Sequence, residues 1–112
     1  MPEVYVKQGD TKPPLQPTLK FEDGSVMNLA NCTVVFTMID KDGTKKIDEA
    51  ECKIEEPPTA GKVTYQWVYN ARKDTDTPGR FKGEFEVTDV NGDVQTWPTT
   101  EDLVIIIKEE YG

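Results

Sequence analysis

The sequence predicts an all-β domain in which two antiparallel sheets pack face to face as a sandwich. Residues 80–88 alternate strictly, so that Phe81, Gly83, Phe85 and Val87 share one side of a strand and charged or polar residues occupy the other. Turn residues separate short strand-like runs along the chain, and no segment carries an apolar stripe at helical spacing. Eight short strands in 112 residues leave no room for crossover helices, which favours antiparallel sheets.

The element boundaries follow from the alternation and from the turn residues between the runs. We predict strands at Val4–Gln8, Leu15–Phe21, Thr33–Ile39, Ala50–Glu55, Lys62–Val68, Arg80–Thr88, Val94–Trp97 and Leu103–Lys108. Pro78 and Gly79 are typical of a type II turn just before the longest strand. In the predicted strand Lys62–Val68, alternation places Val63, Tyr65 and Trp67 inward, and Tyr69 continues this inward series. The predicted core contains Phe36, Tyr65, Trp67, Phe81, Phe85 and Trp97.

Three turns, at 22–24, 41–43 and 90–92, each contain an aspartate or asparagine followed by a glycine. In the last of them a two-residue loop would place Trp97 opposite the solvent-facing Glu86. A three-residue loop instead places Trp97 opposite Phe85, with both side chains inward. We therefore predict a type I turn followed by a left-handed glycine, with Asp89 at the first turn position.

The same loop geometry at 41–43 sets Cys32 opposite Cys52 and Val34 opposite Ala50. It also places Phe36 opposite Asp48, which predicts a bulge near the turn. A cross-strand disulfide is conceivable in this register. Two cysteines are nevertheless too few for a disulfide framework, and their spacing matches no zinc pattern. Small buried apolar residues in a reducing compartment are the favoured interpretation.

Length and charge limit the number of domains and the classes of partner that we expect. The chain, 1–112, is expected to form a single domain large enough for its own core. Its net charge is −8, from 21 acidic and 13 basic residues, so neither a nucleic acid nor an anionic membrane surface is an expected partner. No run is long and apolar enough to span a bilayer, and no signal peptide is visible.

No constellation of residues predicts catalysis, so we expect a protein that is not an enzyme. The sequence has no histidine and no phosphate-binding or nucleophile motif. Asp40 to Gly43 begins like an EF-hand loop, but its glycine arrives too early. Asp74 and Asp76 are the one pair considered for a weak calcium site. We predict that no metal and no cofactor is required.

The last predicted strand is apolar at every position, unlike the others. Its residues are Leu103, Val104, Ile105, Ile106 and Ile107. Such a strand is either a central strand covered on both faces, or it faces a partner. We take these residues as the candidate partner interface, with Val104 or Ile106 outward.

The order of these motifs resembles a known family. The relevant segments are 6–11, 13–15, 23–24, 28–34, 42–43, 60–67, 76–88, 91–92 and 97–98. Over residues 4–107 their order and spacing resemble the immunoglobulin-like N-terminal domain of baseplate upper proteins from tailed phages and prophages of Gram-positive bacteria. Members of that family usually continue into a long C-terminal region that holds receptor-binding tips, so we expect this chain to be either an isolated domain of such a protein or a short prophage protein that lacks the tip-bearing part.

The resemblance implies a virion structural role. Such a domain anchors the distal, receptor-binding part of the tail baseplate to the tail core, with the distal tail protein as the expected partner and an oligomer within the baseplate as the setting. Assembly in the host cytosol would keep both cysteines reduced. The alternative is a carbohydrate-binding or adhesin-like sandwich of a cell-surface or extracellular protein. Its aromatic candidates are Tyr5, Trp67, Tyr69, Trp97 and Tyr111. A calcium-stabilised linker domain is a third class.

Overall fold

One large sheet and one small sheet form the two layers of the domain. The computed structural model describes residues 3–69 and 73–111. The strands are β1 (Glu3–Lys7), β2 (Thr33–Ile39), β3 (Lys45–Glu51), β4 (Lys53–Ile54), β5 (Val63–Thr64), β6 (Gly79–Thr88), β7 (Val94–Trp97) and β8 (Leu103–Lys108). A 3₁₀ turn at Pro58–Ala60 is the one helical element in these ranges. None of the described segments forms a helix that could cross a membrane. The predicted all-β immunoglobulin-like sandwich is confirmed.

The large sheet has the order β1-β8-β6-β2-β3, and β7 also pairs with β6. β6 is long enough to serve two neighbours along one edge, with Gly79–Gly83 beside β8 and Phe85–Thr88 beside β7. One pairing differs from the expectation of purely antiparallel sheets, because β1 and β8 are parallel. These strands are far apart in the sequence, so no turn between them constrains their direction.

The second layer is less regular than predicted. The expected strand at Leu15–Phe21 is absent, and the segment contacts its neighbours through the isolated bridges Leu15 with Tyr65, Thr18 with Lys62 and Lys20 with Val26. Pro17 has no N–H for a ladder, which accounts for the interruption. Only β4 and β5 form a regular pair in this layer. Of the predicted strand at Lys62–Val68, Val63–Thr64 alone forms a regular strand, β5.

Aromatic side chains join the two layers. The Phe36 ring lies 4.9 Å from Tyr65 in the second layer and 4.7 Å from Phe85 in the large sheet, measured between ring centroids. Trp67 meets the Tyr65 ring edge-on at 5.5 Å. Five of the six predicted core aromatics are buried, and the exception is Trp97, which is partly buried. The core prediction is thus confirmed except at the open side near Trp97.

The three hairpin turns have the predicted form. The amide of Asp89 donates to the Asp93 carbonyl at 3.0 Å, and Phe85 lies opposite Trp97. Gly92 has φ of 83°, the left-handed conformation that such a turn needs at its third residue. The Asp89 carboxylate accepts hydrogen bonds from the Asn91 and Asp93 amides at 2.9 and 3.1 Å. The other two turns close in the same way.

The predicted pairing of the two cysteines is wrong. The bulge expected in this hairpin is present, but β3 contains more than one irregularity, so Phe36 lies opposite Ala50 instead of Asp48. The amide of Cys52 therefore donates to the Val34 carbonyl, at 2.9 Å. Cys32 lies before β2 and has no cross-strand cysteine. Both thiols are free, as the favoured interpretation predicts, but both side chains are partly exposed where it expected burial.

A loop at 73–77, which is buried at Asp74 and Thr75, ties the layers together at the start of β6. The Asp74 carboxylate accepts hydrogen bonds from the Tyr65 hydroxyl and, at 2.8 Å, from the Val68 amide. The Thr75 hydroxyl donates to the Asp10 carbonyl at 2.9 Å, just beyond the end of β1. Asp74 and Thr75 are both fully buried. Polar groups at such depth require partners, and these bonds supply them.

Replacement of Phe85 by alanine tests the core. Because Phe85 is fully buried between Phe36 and Trp97, Phe85→Ala should lower the free energy of unfolding by about 3–5 kcal/mol. The neighbouring Glu84 is exposed, so Glu84→Ala should change it by less than about 0.5 kcal/mol. Urea unfolding followed by tryptophan fluorescence measures both values, and equal losses would contradict the assigned faces of β6.

A double-mutant cycle tests the Tyr65–Asp74 bond. Asp74→Ala leaves the Tyr65 hydroxyl and the Val68 amide without this acceptor, which should cost about 1–3 kcal/mol. Tyr65→Phe removes the hydroxyl donor as well, so the double variant should lose less than the sum of the single variants. The expected coupling is about 0.5–3 kcal/mol in urea unfolding. Additive losses would show that the two side chains do not depend on one another.

Candidate partner interface

The structure places β8 inside the large sheet. β1 occupies one of its edges and β6 the other, so a partner strand has no open edge to join at β8. Leu103, Ile105 and Ile107 belong to the core cluster. Three of the five candidate interface residues are thus part of the sandwich interior, in agreement with the central-strand interpretation of this segment.

The other two candidates point away from the core, but only one reaches solvent. Val104 is fully buried although it lies outside the core cluster. Its neighbours across the sheet are Glu3 on β1 and Lys82 on β6. Ile106 is half-buried. Ile106 is therefore the residue of the predicted set that a partner can contact.

Ile106 lies in a row with Tyr5 and Arg80, on the face of the large sheet that the second layer does not cover. Tyr5 is 57% exposed, which makes it the largest apolar surface beside Ile106. Its hydroxyl donates to Glu3 Oε1 at 3.1 Å. This hydrogen bond to a carboxylate, with the charge of Glu3, raises the pKa of Tyr5, while the charge of Arg80 opposes the shift.

Basic side chains lie on both sides of this row, and Glu3 is the acidic residue beside Tyr5. Lys7 lies directly opposite Lys108 in the β1–β8 register, and Arg80 and Lys82 project from β6 on the same side. We call this set, with Tyr5 and Ile106 at its centre, the basic face; all its basic side chains are exposed. Lys82 is paired with Asp102 at 3.3 Å. Lys7 donates to the Glu109 carbonyl at 3.5 Å and lies 4.6 Å from the centroid of the Tyr111 ring.

The charge of this face contrasts with that of the chain. Like charges directly opposite each other on a sheet are destabilising, and here Lys7 opposes Lys108 in a protein of net charge −8. A local excess of positive charge steers and orients a negatively charged partner. An exposed apolar centre within a polar rim is the usual anatomy of a protein interface. The face is therefore suited to bind an acidic protein surface.

Sequence reasoning identified Ile106 but not its surroundings. Tyr5, Lys7 and Lys108 come from the two ends of the chain, and only the parallel pairing of β1 with β8 brings them together. Alternation along β6 had already placed Arg80 and Lys82 on the outer side. The missing information was the strand neighbour, which no local pattern reveals.

The remaining chemistry-bearing residues do not converge. Asp74 is directed at Tyr65 and Val68, whereas the Asp76 carboxylate pairs with Lys46 and accepts from the Thr77 hydroxyl at 2.9 Å. These bonds to Lys46 and Thr77 lower the pKa of Asp76. The pair considered for calcium thus has separate protein partners. Within residues 3–69 and 73–111 no three histidine, cysteine or acidic side chains group around a common centre.

The aromatic residues considered for carbohydrate binding are dispersed. Trp67 is buried, and its indole N–H donates to the Pro13 carbonyl at 3.1 Å. Tyr69 and Trp97 are partly exposed. Tyr5 and Tyr111 are the exposed members of the set. The central residue of the expected platform is therefore part of the core.

Comparisons with known proteins add information on the fold. No protein-family model matches the chain, and no curated protein matches it. Among solved structures, the chain is similar to the crystal structure of CopC from Methylosinus trichosporium OB3b, with 9% sequence identity and a TM-score of 0.52. The alignment covers 100% of this chain and 89% of that chain. At this identity the similarity shows the β-sandwich fold alone.

The two cysteines should differ in reactivity. Burial, with a smaller contribution from the charge of Glu51, raises the pKa of Cys52 to about 12, and burial with Asp89 raises the pKa of Cys32. A rise from 9.0 to about 12 lowers the thiolate fraction of Cys52 near pH 8 about a thousandfold. Titration with a thiol reagent in urea should find both groups, whereas native Cys32→Ser protein should react very slowly. Fast reaction of that native variant would contradict the partial burial that raises the pKa of Cys52.

Proposed function

We propose that this protein is a non-enzymatic structural domain of a phage or prophage tail baseplate. It anchors a distal, receptor-binding component to the tail core, and it acts by binding other proteins. Two findings support the proposal. The order of motifs over residues 4–107 resembles that of baseplate upper proteins, and the fold is the immunoglobulin-like sandwich that this resemblance implies.

The observation that carries the attachment role is the basic face. Tyr5 and Ile106 provide apolar contact area on an otherwise uncovered sheet face, and Lys7, Arg80 and Lys108 provide charge. Rim charges mainly affect the association rate and its salt dependence, while a desolvated apolar centre provides affinity. We place the contact with the distal tail protein here, because β8 itself is enclosed.

A carbohydrate-binding module is the second candidate. The observation in its favour is the pair of exposed tyrosines, Tyr5 and Tyr111, which both lie near Lys7. Sugar rings stack on exposed aromatic faces. Burial of Trp67 removes the most extended platform, so the protein-binding role is the better supported of the two.

The sharpest test of the attachment role is Ile106→Lys. Because Ile106 is half-exposed, the variant should fold, and a charged side chain at the centre of the basic face should weaken co-purification with the distal tail protein about tenfold or more. Val35→Lys is the matched control: Val35 is also a half-buried residue on the outer face, but it lies opposite Glu86 and Glu51. Circular dichroism and thermal unfolding verify both folds.

The outcomes separate the site from the role. Equal binding by the Ile106→Lys variant and the unmodified protein would rule out the basic face, while the attachment role would stand. Val104→Lys should destabilise the domain, because Val104 is fully buried, and it is therefore unsuitable as a binding probe. If the unmodified protein binds no tail component but binds a cell-wall polysaccharide, the carbohydrate-binding function replaces the proposal.

A further inference from the structure

The open edge of β7 carries unpaired backbone groups. Among the described strands β7 pairs only with β6, through a ladder in which Asp89 and Asp93 form a hydrogen-bonded pair. Because such pairs alternate along an antiparallel ladder, Gln95 and Trp97 bond to β6 while Val94 and Thr96 direct their backbone groups outward. The Thr96 carbonyl accepts from the Thr99 hydroxyl at 3.1 Å. By the same alternation the Val94 amide, the Val94 carbonyl and the Thr96 amide face away from β6, and none of the loop and turn hydrogen bonds of the described residues involves them.

Three depressions follow one another along this edge, between β7 and the second layer. The first, of about 190 Å³, lies between Val94 and Met27, and the second, of about 230 Å³, lies beside Pro98. The third, of about 340 Å³, has a mainly apolar lining that includes Pro14 and Leu103. Phe21 lines the first two depressions, and Trp97 lines the last two. We call these three adjoining depressions the β7 trench.

Large apolar side chains remain exposed in the trench. Phe21 is 43% exposed and lines the first depression, while Val94, which is 56% exposed, lies at its rim on the outer side of β7, opposite Thr88. Trp97 is partly exposed at the junction of the other two. Exposed apolar residues beside an unpaired strand edge are the features by which an extended segment binds: backbone bonds give affinity, and alternate side chains enter the pockets.

The charge of the trench indicates which kind of peptide segment would bind there. Its lining contains the carboxylates of Glu22, Asp89, Asp93 and Glu101 against a single lysine, Lys20. An occupant with basic residues beside its apolar residues would match this charge, whereas a second acidic segment would be repelled.

We propose that the β7 trench binds an extended peptide segment of another protein, which adds as a strand to β7. The segment carries alternating apolar side chains flanked by lysine or arginine. This site is distinct from the basic face, and it does not rest on the tail assignment.

The proposal is tested with a displayed library of random octapeptides selected against the whole domain. The selected peptides should share alternating apolar residues with basic flanks, and binding should weaken at high salt. Amide hydrogen exchange at Val94 and Thr96 should slow on peptide binding, because strand addition gives these amides an acceptor. Absence of a shared pattern, or of this protection, would overturn the proposal.

Two variants locate the site. Thr96→Pro removes an outward N–H without removing a bond to β6 and should weaken peptide binding about tenfold. Val94→Lys replaces an apolar contact by a charge that repels a basic peptide and should weaken binding at least as much. Val90→Lys is the matched control, because Val90 is 74% exposed on the same hairpin but lines none of the three depressions.

The outcomes are decisive even if one variant fails to fold. Retained binding by a folded Val94→Lys variant, or equal loss with Val90→Lys, would overturn the proposal. Protection of Val94 and Thr96 that appears without peptide and increases with protein concentration would assign the edge to a second copy of the chain and would also overturn it.

Discussion

The hydrogen bonds of the buried Asp74 carboxylate are the interactions on which the rest of the architecture depends. It accepts from Tyr65 in the second layer and holds the loop that precedes β6. The same loop reaches the end of β1, because the Gly9 amide donates to the Thr75 carbonyl at 2.9 Å and the Gln8 side-chain amide donates to the Asp76 carbonyl at 2.8 Å. One loop thereby fixes the start of β6 and the end of β1 on either side of β8. The basic face consists of residues from these three strands.

The parts of the fold that the sequence could predict are those encoded by short-range patterns, such as alternation along a strand and the residues of a turn. Alternation through Phe81, Phe85 and Val87 identifies both faces of β6 without knowledge of its neighbours. The turn at 90–92 could be assigned because one register buries Trp97 beside Phe85 and the other exposes it. Here the hydrophobic pattern and the turn geometry give the same answer, and consistency between levels is what makes such predictions reliable.

The errors arose where non-local packing decides the structure. In β3 the chain takes up extra residues near Glu49, which has φ of 50°, and each extra residue shifts the pairing beyond it. The register was therefore correct at Asp40 with Thr44 but wrong at the cysteines. The prolines of the segment before Leu19 prevent a continuous ladder, although its side chains still enter the core. The basic face escaped prediction because the neighbour of β1 is a strand from the far end of the chain.

The division of β6 between two neighbours separates the two regions that we propose as binding sites. Its first half lies beside β8 and displays Arg80 in the basic face, and its second half lies beside β7 and the acidic trench. At roughly 3.3 Å per strand residue, Arg80 and Val87 are about 23 Å apart, so occupants of the two regions do not need to compete. The regions also differ in sign, which disfavours one partner binding at both. A domain that holds an acidic surface at one end of a rigid strand and a basic segment at the other is suited to connect two different proteins.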